Sequence, residues 1–282
     1  MSNQILQKKQ LSDDDFQMRL SAPLIASERQ PGQFIMLQVD ALGERIPLTI
    51  ADADEKQGTI DIIYQVVGKT TSLLSRLNVG DAILNLVGPL GKPTHIEQLG
   101  TVVCVGGGIG VAPMHPIAKA MKQKGNHVII IVGARNEKLL ILQDEMRAIA
   151  DELIVCTDDG SAGRKGLVTQ PLKEICERTP KPNLVLAIGP PIMMKFCAET
   201  TRPFQVPTVV SLNTIMVDGT GMCGGCRVSV GKEIKFVCVD GPEFDGHLVD
   251  FDNMMNRLKT YIPHERGAHD QCKLNAQIQK KI

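Results

Sequence analysis

The chain has 282 residues, of which 43% are hydrophobic and 22% are charged, the composition of a globular protein large enough for about two domains. Its 31 lysine and arginine residues balance 31 aspartate and glutamate residues, and only 3% of its residues are aromatic. These values argue against nucleic-acid binding, and the polar N-terminus and short apolar runs predict neither a signal peptide nor a membrane span.

Residues 1–96 are predicted to form short strands, because β-rich stretches alternate there with glycine and proline turn signals. One helix-like insert, Thr71–Leu77, interrupts them. Short strands with a single helix indicate a small β-barrel. The predicted strands are Phe34–Val39, Ile46–Ile50, Thr59–Val67 and Ala82–Val87.

Residues 97–207 change character, because buried apolar strands now alternate with helical patterns. This alternation predicts a parallel sheet covered by helices on both faces, so the chain combines an all-β part with an α/β part. The predicted strands are Thr101–Val105, His127–Gly133, Leu153–Thr157 and Leu184–Ile188, and the predicted helices are Met114–Gln123, Glu137–Ala150 and Gln170–Arg178.

A glycine-rich turn, Gly106–Pro113, joins the first of these strands to its helix. Such turns offer backbone amides and a helix N-terminus to a pyrophosphate. The full G-x-G-x-x-G pattern is not met, because Val111 occupies the position of its last glycine. Taken alone, the turn is equally compatible with a tight strand-to-helix connection.

The most specific motif lies in residues 208–249, where Asp218, Cys223, Cys226 and Cys238 follow the spacing Asp-x4-Cys-x2-Cys-x11-Cys. With cysteine in place of Asp218, this is the ligand spacing of a plant-type [2Fe–2S] cluster. Glycines within the motif suit a backbone that wraps around an anion and points amides at sulfur. We therefore predict these four residues as cluster ligands.

Other interpretations of the motif remain. Half of a zinc site would need a second pair of ligands at short spacing, but Cys238 stands alone and His247 follows only after a Gly-Pro turn. A redox-active Cys-x-x-Cys is expected in a thioredoxin-like βαβ context, which the surrounding glycines do not suggest. Asp218 has an alternative role as a turn residue before Gly219.

Residues 250–282 are predicted to form a helix and a polar tail. Pro263 is expected to stop the helix, and residues 264–282 to be poorly ordered unless a partner holds them. Cys272 in the tail has no assigned role, while the eight cysteines of the chain predict a reducing, cytoplasmic location. The apolar residues at helical spacing are Phe251, Met254, Met255, Leu258 and Ile262.

The order of a β-barrel, a glycine-rich turn opening an α/β domain and a cluster motif resembles the ferredoxin–NADP reductase superfamily, including the dihydroorotate dehydrogenase electron-transfer subunits. Residues 1–262 are similar to the small subunit of the electron-bifurcating, NADH-dependent ferredoxin:NADP oxidoreductases, also described as a sulfide dehydrogenase subunit, in which aspartate replaces the first cluster cysteine as Asp218 does here. The resemblance implies an FAD-binding β-barrel (1–96), a parallel-sheet NAD-binding domain (97–207), a small [2Fe–2S] subdomain (208–249) and a C-terminal helix and tail (250–282).

The resemblance also implies an FAD site between the barrel and the nucleotide domain. Thr49 stands where the family has a serine near flavin N5, whereas Arg45 lies one position earlier than the usual arginine. Ordinary alternatives are a strand residue for Thr49, a strand aromatic for Tyr64 and a helix cap for the threonines. The matched residues are Pro47, Leu48 and Thr49 in the flavin motif, Ile63 and Tyr64 along the flavin edge, and Gly68, Thr70 and Thr71 at the pyrophosphate.

For the pyridine nucleotide, the resemblance points to residues that follow successive strands of the sheet. Arg135 is the one basic residue near the expected ribose, without a neighbouring Ser/Arg pair, so NAD(H) is favoured over NADP. Core packing is the alternative for Met193 and Met194. The matched residues are Gly108, Gly110, Val111, Ala112 and Pro113, then Ala134 and Arg135, then Asp158, Asp159 and Gly160, and finally Gly189, Pro190 and Met193.

The implied activity is hydride transfer from NADH to FAD, followed by single-electron transfer to the [2Fe–2S] cluster, without an acid–base triad. The implied partner is a larger subunit with flavin, iron–sulfur and NADPH sites, which forms a heterodimer with this chain and passes electrons to ferredoxin. Two alternatives stay open. The first is an electron-transfer subunit of dihydroorotate dehydrogenase, against which Asp218 and the long C-terminal extension count. The second is a non-catalytic iron–sulfur adaptor or redox sensor.

Overall fold

A β-barrel forms the N-terminal part of the chain. The computed structural model describes residues 3–279. The barrel elements are β1 (Ile5–Gln10), β2 (Asp15–Ser21), α1 (Pro23–Glu28), β3 (Phe34–Gln38), β4 (Arg45–Asp54), β5 (Thr59–Gln65), α2 (Lys69–Leu74) and β6 (Asn85–Leu90). The strands described here form an antiparallel sheet in the order β1-β2-β5-β4-β3-β6. A hydrogen bond of 2.8 Å from the amide of Ile5 to the carbonyl of Asp81 brings β1 back to the loop before β6.

Strand β5 is buried on both faces, because it lies between the barrel core and the next domain. Ile62 and Tyr64 belong to the barrel core, whereas Ile63 belongs to the core of the neighbouring domain. Asp61 is 4% exposed and accepts hydrogen bonds of 2.7 and 2.8 Å from Nε and Nη2 of Arg19. This paired geometry offsets the cost of burying a carboxylate.

A seven-stranded sheet with helices on both faces follows within the described residues. Its order is β10-β9-β8-β7-β11-β12-β15, parallel except for β15, which runs antiparallel to β12. The elements of this part are β7 (Thr101–Gly107), α3 (Val111–Gln123), β8 (His127–Ala134), α4 (Gln143–Ile149), β9 (Glu152–Thr157), β10 (Arg164–Lys165), α5 (Thr169–Cys176), β11 (Leu184–Ile188), α6 (Pro191–Thr201), β12 (Thr208–Ser211), β13 (Arg227–Val230), β14 (Glu233–Phe236), α7 (Val237–Asp240), β15 (Glu243–Asp245), α8 (Phe251–Leu258) and α9 (Ile262–Gln279).

The central strands are apolar throughout because both of their faces are covered. Val103 and Val105 of β7 belong to one core, and Val102 and Cys104 of the same strand belong to the other. This period-two division is what a parallel sheet between two helical layers requires. The fold class predicted from the sequence, an all-β barrel followed by a parallel α/β domain, is confirmed.

The cluster motif lies in an excursion from this sheet. The chain leaves after β12, forms the hairpin of β13 and β14 with α7, and returns to the sheet at β15. Strand β12 begins at Thr208 but pairs with β11, so it belongs to the nucleotide sheet although it follows the boundary expected at residue 207.

Two expectations for helices are wrong. The segment Glu137–Ala150 is not one helix: Glu137–Leu139 form a short 3-10 turn, and α4 begins only at Gln143. The intervening chain is extended at Leu140 and left-handed at Leu142, with φ +55°, so that Ile141 is buried in the core at 3% exposure. Burial of this side chain offsets the loss of helical hydrogen bonds.

The second correction concerns the C-terminus. Helix α8 is capped by Asp250, whose Oδ1 accepts a 3.0 Å hydrogen bond from the amide of Asn253. A second helix, α9, then begins at Ile262 and continues through Gln279, so Pro263 does not end helical structure. Proline is compatible with a first helical turn, where its missing N–H would have no partner. Among the described residues, no helix has the length and apolar character needed to cross a membrane.

Candidate functional site

The flavin motif expected from the sequence lies on β4, beside the seam between the two domains. Pro47 and Thr49 are half-buried, and β3 runs beside them with Met36 opposite Pro47. Farther along β4, Ala51 packs in the core of the nucleotide domain together with Val111 of α3. The strand therefore carries the hydroxyl of Thr49 toward the place where the domains meet.

The two threonine hydroxyls of the segment Gly68–Thr71 have different surroundings. Thr71 Oγ1 accepts hydrogen bonds of 3.1 Å from the amides of both Val67 and Gly68. Thr71 is therefore a capping residue, the alternative considered for it. Thr70 is only 4% exposed, and its hydroxyl oxygen is buried without a hydrogen-bond partner among the described residues.

Ile63 and Tyr64 lie side by side on β5 but face opposite directions. The Tyr64 ring is 1% exposed, and its hydroxyl lies 3.7 Å from the Met18 sulfur inside the barrel. Burial raises the pKa of Tyr64 well above the usual value for tyrosine. The side chain of Tyr64 thus takes the alternative role of a core aromatic, and only its backbone remains accessible to a flavin.

The glycine-rich turn holds strands β7 and β11 in close approach. A Cβ atom on Gly110 would lie 2.7 Å from the Cα of Gly189, so only glycine fits between the two strand ends. Gly108 differs, since its φ is +54° and the space around a Cβ there is open. The side chains of Val111 and Ala112 are each 1% exposed in the core, so these residues can offer only backbone groups to a nucleotide.

The segment Gly189–Met194 forms the opposite wall of this turn. A Cβ atom on Gly189 would lie 2.8 Å from the Cε of Met193, whose side chain covers the glycines. Met194 is fully buried in the core. It therefore takes the core-packing role that was considered as the alternative for the two methionines. Pro190 is exposed, and Pro113 across the turn is half-buried.

The loops after β8 and β9 are joined beyond the edge of the sheet. The amide of Asp158 donates to the carbonyl of Ala134 at 3.1 Å, and the amide of Asp159 donates to the carbonyl of Arg135 at 3.3 Å. Hydrogen bonds from the hydroxyl and amide of Ser161 lower the pKa of the Asp159 carboxyl. The side chains of Arg135 and Asp158 are exposed, and Gly160 turns the chain with φ +82°.

The four residues of the cluster motif fall into two pairs. The sulfur atoms of Cys226 and Cys238 are buried and 3.2 Å apart, and burial raises the pKa of Cys238 to about 12. Cys223 is exposed, and its amide donates a 2.8 Å hydrogen bond to Oδ2 of Asp218. Backbone amides, first that of Thr220, lower the pKa of the Asp218 carboxyl.

The cluster loop packs on the barrel strand that lies beside the flavin motif. Gly219 fits against Met36 and Leu90, and a Cβ atom on it would lie 3.1 Å from the Cδ1 of Leu90. Since Met36 is the cross-strand neighbour of Pro47, the loop is one strand away from the flavin motif.

Comparison with known proteins identifies the family. Models of three domains match consecutive parts of the chain: an oxidoreductase FAD-binding domain over residues 2–95, an oxidoreductase NAD-binding domain over residues 104–199, and the iron–sulfur cluster binding domain of dihydroorotate dehydrogenase B over residues 213–250. A Thermotoga maritima protein described as a dihydroorotate dehydrogenase B (NAD(+)) electron transfer subunit homolog is 48% identical over 95% of this chain and 95% of its own length. The chain belongs to this family of electron-transfer subunits and their homologues.

Two further family comparisons extend over most of the chain. The dihydroorotate dehydrogenase B electron transfer subunit of Geobacillus kaustophilus is 34% identical over 85% of this chain and 94% of its own length. A chain in the structure of an NADH-dependent reduced ferredoxin-NADP oxidoreductase, a study of flavin-based electron bifurcation, is 47% identical with a TM-score of 0.91 over 96% of this chain and 98% of that one. The resemblance stated from the sequence and the cofactors FAD, NAD and an iron–sulfur cluster are confirmed.

The residues of the cluster motif fit a two-iron cluster better than a single metal ion. Within the described residues, no group of three or more His, Cys, Asp or Glu side chains converges on one point. A single zinc ion needs three or four such ligands, whereas a [2Fe–2S] cluster takes two protein ligands at each iron. The sulfur atoms of Cys226 and Cys238 form one such pair, and Cys223 stands beside Asp218, whose carboxylate accepts a hydrogen bond from the Cys223 amide.

The residues of the nucleotide sites also fit their ligands. The hydroxyl of Thr70, buried without a partner in the described part of the chain, supplies a hydrogen-bonding group that a bound polar ligand would satisfy. The open space at Gly108 leaves a cradle at the strand end that any side chain would fill. Both features lie at positions that the sequence assigned to phosphate groups.

Two residues were missed by sequence reasoning. Arg29 ends α1, and its Nε is buried without a partner in the described part of the chain, while Nη2 donates to the carbonyl of Ile50 at 3.3 Å. Burial lowers the pKa of Arg29. Asn136, directly after Arg135, carries a buried Oδ1 that has no hydrogen-bond partner within residues 3–279 as the structure describes them. A polar residue at a strand end was a signal available for Asn136, whereas nothing in the local sequence marks Arg29.

Proposed function

We propose that this chain is the NADH-oxidising electron-transfer subunit of an NADH-dependent, electron-bifurcating ferredoxin:NADP oxidoreductase. The observation that carries the proposal is the contact between the cluster loop at Gly219 and Met36, the cross-strand neighbour of Pro47. This contact brings the flavin motif and the cluster motif to one seam. The full-length likeness to a chain of the ferredoxin-NADP oxidoreductase structure supports the choice of complex.

Bound FAD supplies the exchange between hydride pairs and single electrons, which a bound [2Fe–2S] cluster carries onward. The residues of the chain bind and orient these groups. Thr49 offers a hydroxyl and Pro47 and Leu48 a strand edge for the flavin ring, while Thr70 and Gly68 receive its phosphates. Gly108, Gly110 and the backbone of residues 111–113 form the nucleotide cradle, and Met193 with Gly189 and Pro190 closes its nicotinamide end.

We propose NADH as the preferred nucleotide. Asp158 and Asp159 lie at the end of β9, and their amides donate to the carbonyls of Ala134 and Arg135, so both residues stand near the place expected for the ribose. A ribose 2′-hydroxyl can donate to a carboxylate, whereas a 2′-phosphate would be repelled by it. Arg135 is exposed and would provide a single opposing charge.

The partner we propose is a larger subunit with flavin, iron–sulfur and NADPH sites that docks beside the cluster and leads electrons to ferredoxin. Large apolar side chains are exposed on the cluster loop and on the hairpin and helix that follow it, an arrangement typical of an interface. Their exposed fractions are 59% for Val217, 89% for Met222, 66% for Ile234 and 38% for Val239. Replacing Met222 by lysine should weaken co-purification with the partner, while NADH reduction of the chain itself stays unchanged.

A second candidate function, electron transfer to a dihydroorotate dehydrogenase, is favoured by the names of the 34% identical relatives. Asp218, in place of a cluster cysteine, favours the ferredoxin:NADP complex instead. Identifying the partner subunit distinguishes the two functions. The ferredoxin:NADP complex would reduce a ferredoxin, whereas the dihydroorotate dehydrogenase complex would oxidise dihydroorotate.

The proposal is tested with anaerobically purified full-length chain. We expect yellow-brown protein containing iron, acid-labile sulfide and FAD, whose flavin absorbance bleaches with NADH faster than with NADPH. Protein with iron and sulfide that binds no FAD would instead support an adaptor. Equal bleaching by both nucleotides would contradict NADH preference and leave the assignment of the cofactors intact.

A further inference from the structure

The loop between the two adjacent cluster cysteines is held from outside by two arginines. Nη1 of Arg227 donates a 3.2 Å hydrogen bond to the carbonyl of Gly224, and Nη2 of Arg257 donates a 3.2 Å hydrogen bond to the carbonyl of Gly225. Gly224 and Gly225 are the two residues between Cys223 and Cys226. Each inner carbonyl of this loop is therefore held by one guanidinium.

Fixing a carbonyl also fixes the amide in the same peptide plane. In a planar trans peptide, the C=O of one residue and the N–H of the next point in opposite directions. When Arg227 holds the Gly224 carbonyl, the Gly225 amide must point the other way, and it lies 3.4 Å from the sulfur of Cys223. By the same geometry, the Cys226 amide points away from the guanidinium of Arg257, because that guanidinium binds the Gly225 carbonyl in the same peptide plane.

Arg257 is anchored by the extension that follows the cluster segment. The amide of Asp250, the cap of α8, donates to the carbonyl of Ser229 in β13 at 2.9 Å. Farther along the helix, Asp252 accepts a 2.8 Å hydrogen bond from Lys195 of α6. Helix α8 is thus tied to the cluster hairpin and to the nucleotide domain, and it places a half-buried Arg257 against the cysteine loop.

We propose that Arg257, with Arg227, is a positioning residue that orients the amides of Gly225 and Cys226 toward the sulfur atoms of the cluster. This inference rests on the cluster of the proposed function and assigns a role to the C-terminal extension. Hydrogen bonds and positive charge near a cluster stabilise its reduced form, which carries one more negative charge. The clamp therefore raises the reduction potential of the cluster and slows the loss of iron from it.

The test compares Arg257→Met with Arg147→Met in anaerobically purified full-length chain. Methionine keeps an apolar stem but removes the donors and the charge. Arg147 is a matched control, because it is exposed on α4 and pairs with Asp144 of the same helix. The readouts are the midpoint potential of the cluster, its EPR spectrum, the rate of iron release to a chelator and the thermal unfolding temperature.

We expect Arg257→Met to lower the ratio of reduced to oxidised cluster about tenfold at a fixed potential, equivalent to about 59 mV for one electron. Its EPR spectrum should change and its iron release should accelerate, whereas Arg147→Met behaves like the native chain. A potential and spectrum equal to those of Arg147→Met would overturn the proposal, even if the unfolding temperature falls.

Two further variants keep the test decisive if Arg257→Met does not fold. Arg257→Lys retains the charge with a single-point donor and should recover at least half of the tenfold effect, and Arg227→Met should lower the potential in the same direction. An Arg227→Met potential and EPR spectrum equal to those of the native chain would overturn the proposal. Native chain without iron and sulfide would refute the cluster itself, which separates that failure from failure of the clamp.

Discussion

Thr94 donates a 2.6 Å hydrogen bond to Oε1 of Glu243, and this pair joins the segment that leaves the barrel to the last strand of the nucleotide sheet. Gly32 lies against the same pair, since a Cβ atom on it would be 3.2 Å from Oε1 of Glu243. Burial raises the pKa of Glu243 from 4.5 to about 7, although the hydrogen bond from Thr94 opposes this rise. The domain seam thus contains a carboxyl group that titrates near neutral pH.

This raised pKa predicts a pH-dependent stability. Because the folded state binds the proton more tightly than the unfolded state, the stabilisation is fully present below about pH 4.5 and is lost as the pH rises through about 7. We expect Glu243→Gln to match the native chain at pH 5 and to exceed its free energy of unfolding by on the order of 2 kcal/mol at pH 8. Urea unfolding at both pH values measures this, and an equal difference at the two would contradict it.

Gly219→Ala should weaken the seam between the cluster loop and the barrel. Gly219 has φ +75°, and an added Cβ would press on Met36 and Leu90. We expect a loss of about 2–4 kcal/mol in the free energy of unfolding and a lower iron content, the sum of left-handed strain and overpacking. Gly231→Ala is the control, because its φ is +60° but an added Cβ would lie in open space among the residues that the structure describes. Equal losses in both variants would mean that the contact with Met36 contributes nothing.

The role of Asp218 as a cluster ligand can be separated from its role as a turn residue. Its Oδ1 accepts from the amide of Thr220 and its Oδ2 from that of Cys223, at 2.9 and 2.8 Å. Asp218→Asn keeps a carbonyl acceptor but removes the charge of a ligand, so we expect reduced iron content. Asp218→Cys should retain the cluster with a changed EPR spectrum, because sulfur replaces oxygen at iron. Native iron content and an unaltered spectrum in Asp218→Asn would assign Asp218 to the turn alone.

Thr70 and Thr71 should respond in opposite ways to the same replacement. Thr70→Val removes an unpartnered buried hydroxyl, so the stability of the FAD-free chain should hold or rise while FAD affinity falls about tenfold. Thr71→Val removes the acceptor for two backbone amides and should lower stability by about 1 kcal/mol. Flavin fluorescence titration and thermal unfolding measure both. Undiminished FAD affinity in Thr70→Val would contradict its assignment to the flavin site.

Elements in which apolar residues recur at a regular spacing could be predicted from the sequence. The strand Leu184–Ile188 and the helix start at Asp250 agree with the structure because apolar periodicity alone specifies them. Cys104 and Cys156 lie in apolar runs of the sequence, which is typical of core residues, and both are buried. The cluster motif could also be recognised in the sequence, because its signature is the spacing of the ligand residues along the chain.

Tertiary packing determined the rest. Leu142 adopts a left-handed conformation because burial of Ile141 requires it, and no local pattern encodes that choice. The tail around Cys272 is helical and meets the barrel, where Nη2 of Arg76 lies 3.6 Å from the Cys272 sulfur. The inward direction of Tyr64 could not be read from alternation, because β5 is covered on both faces.

Because the iron-binding loop lies between β12 and β15, which both belong to the nucleotide sheet, the loop moves as one unit with that sheet. In the described chain, the barrel is connected to that unit by residues 91–100 and by side-chain packing. A hinge rotation about this connector would therefore change the gap between Pro47 and the metal loop, while the span from the metal loop to Gly189 stays constant. Mechanical gating in this molecule would act on both transfers that cross the hinge, from the nicotinamide end at Gly189 to the flavin and from the flavin to the cluster, because rotation stretches both intervals.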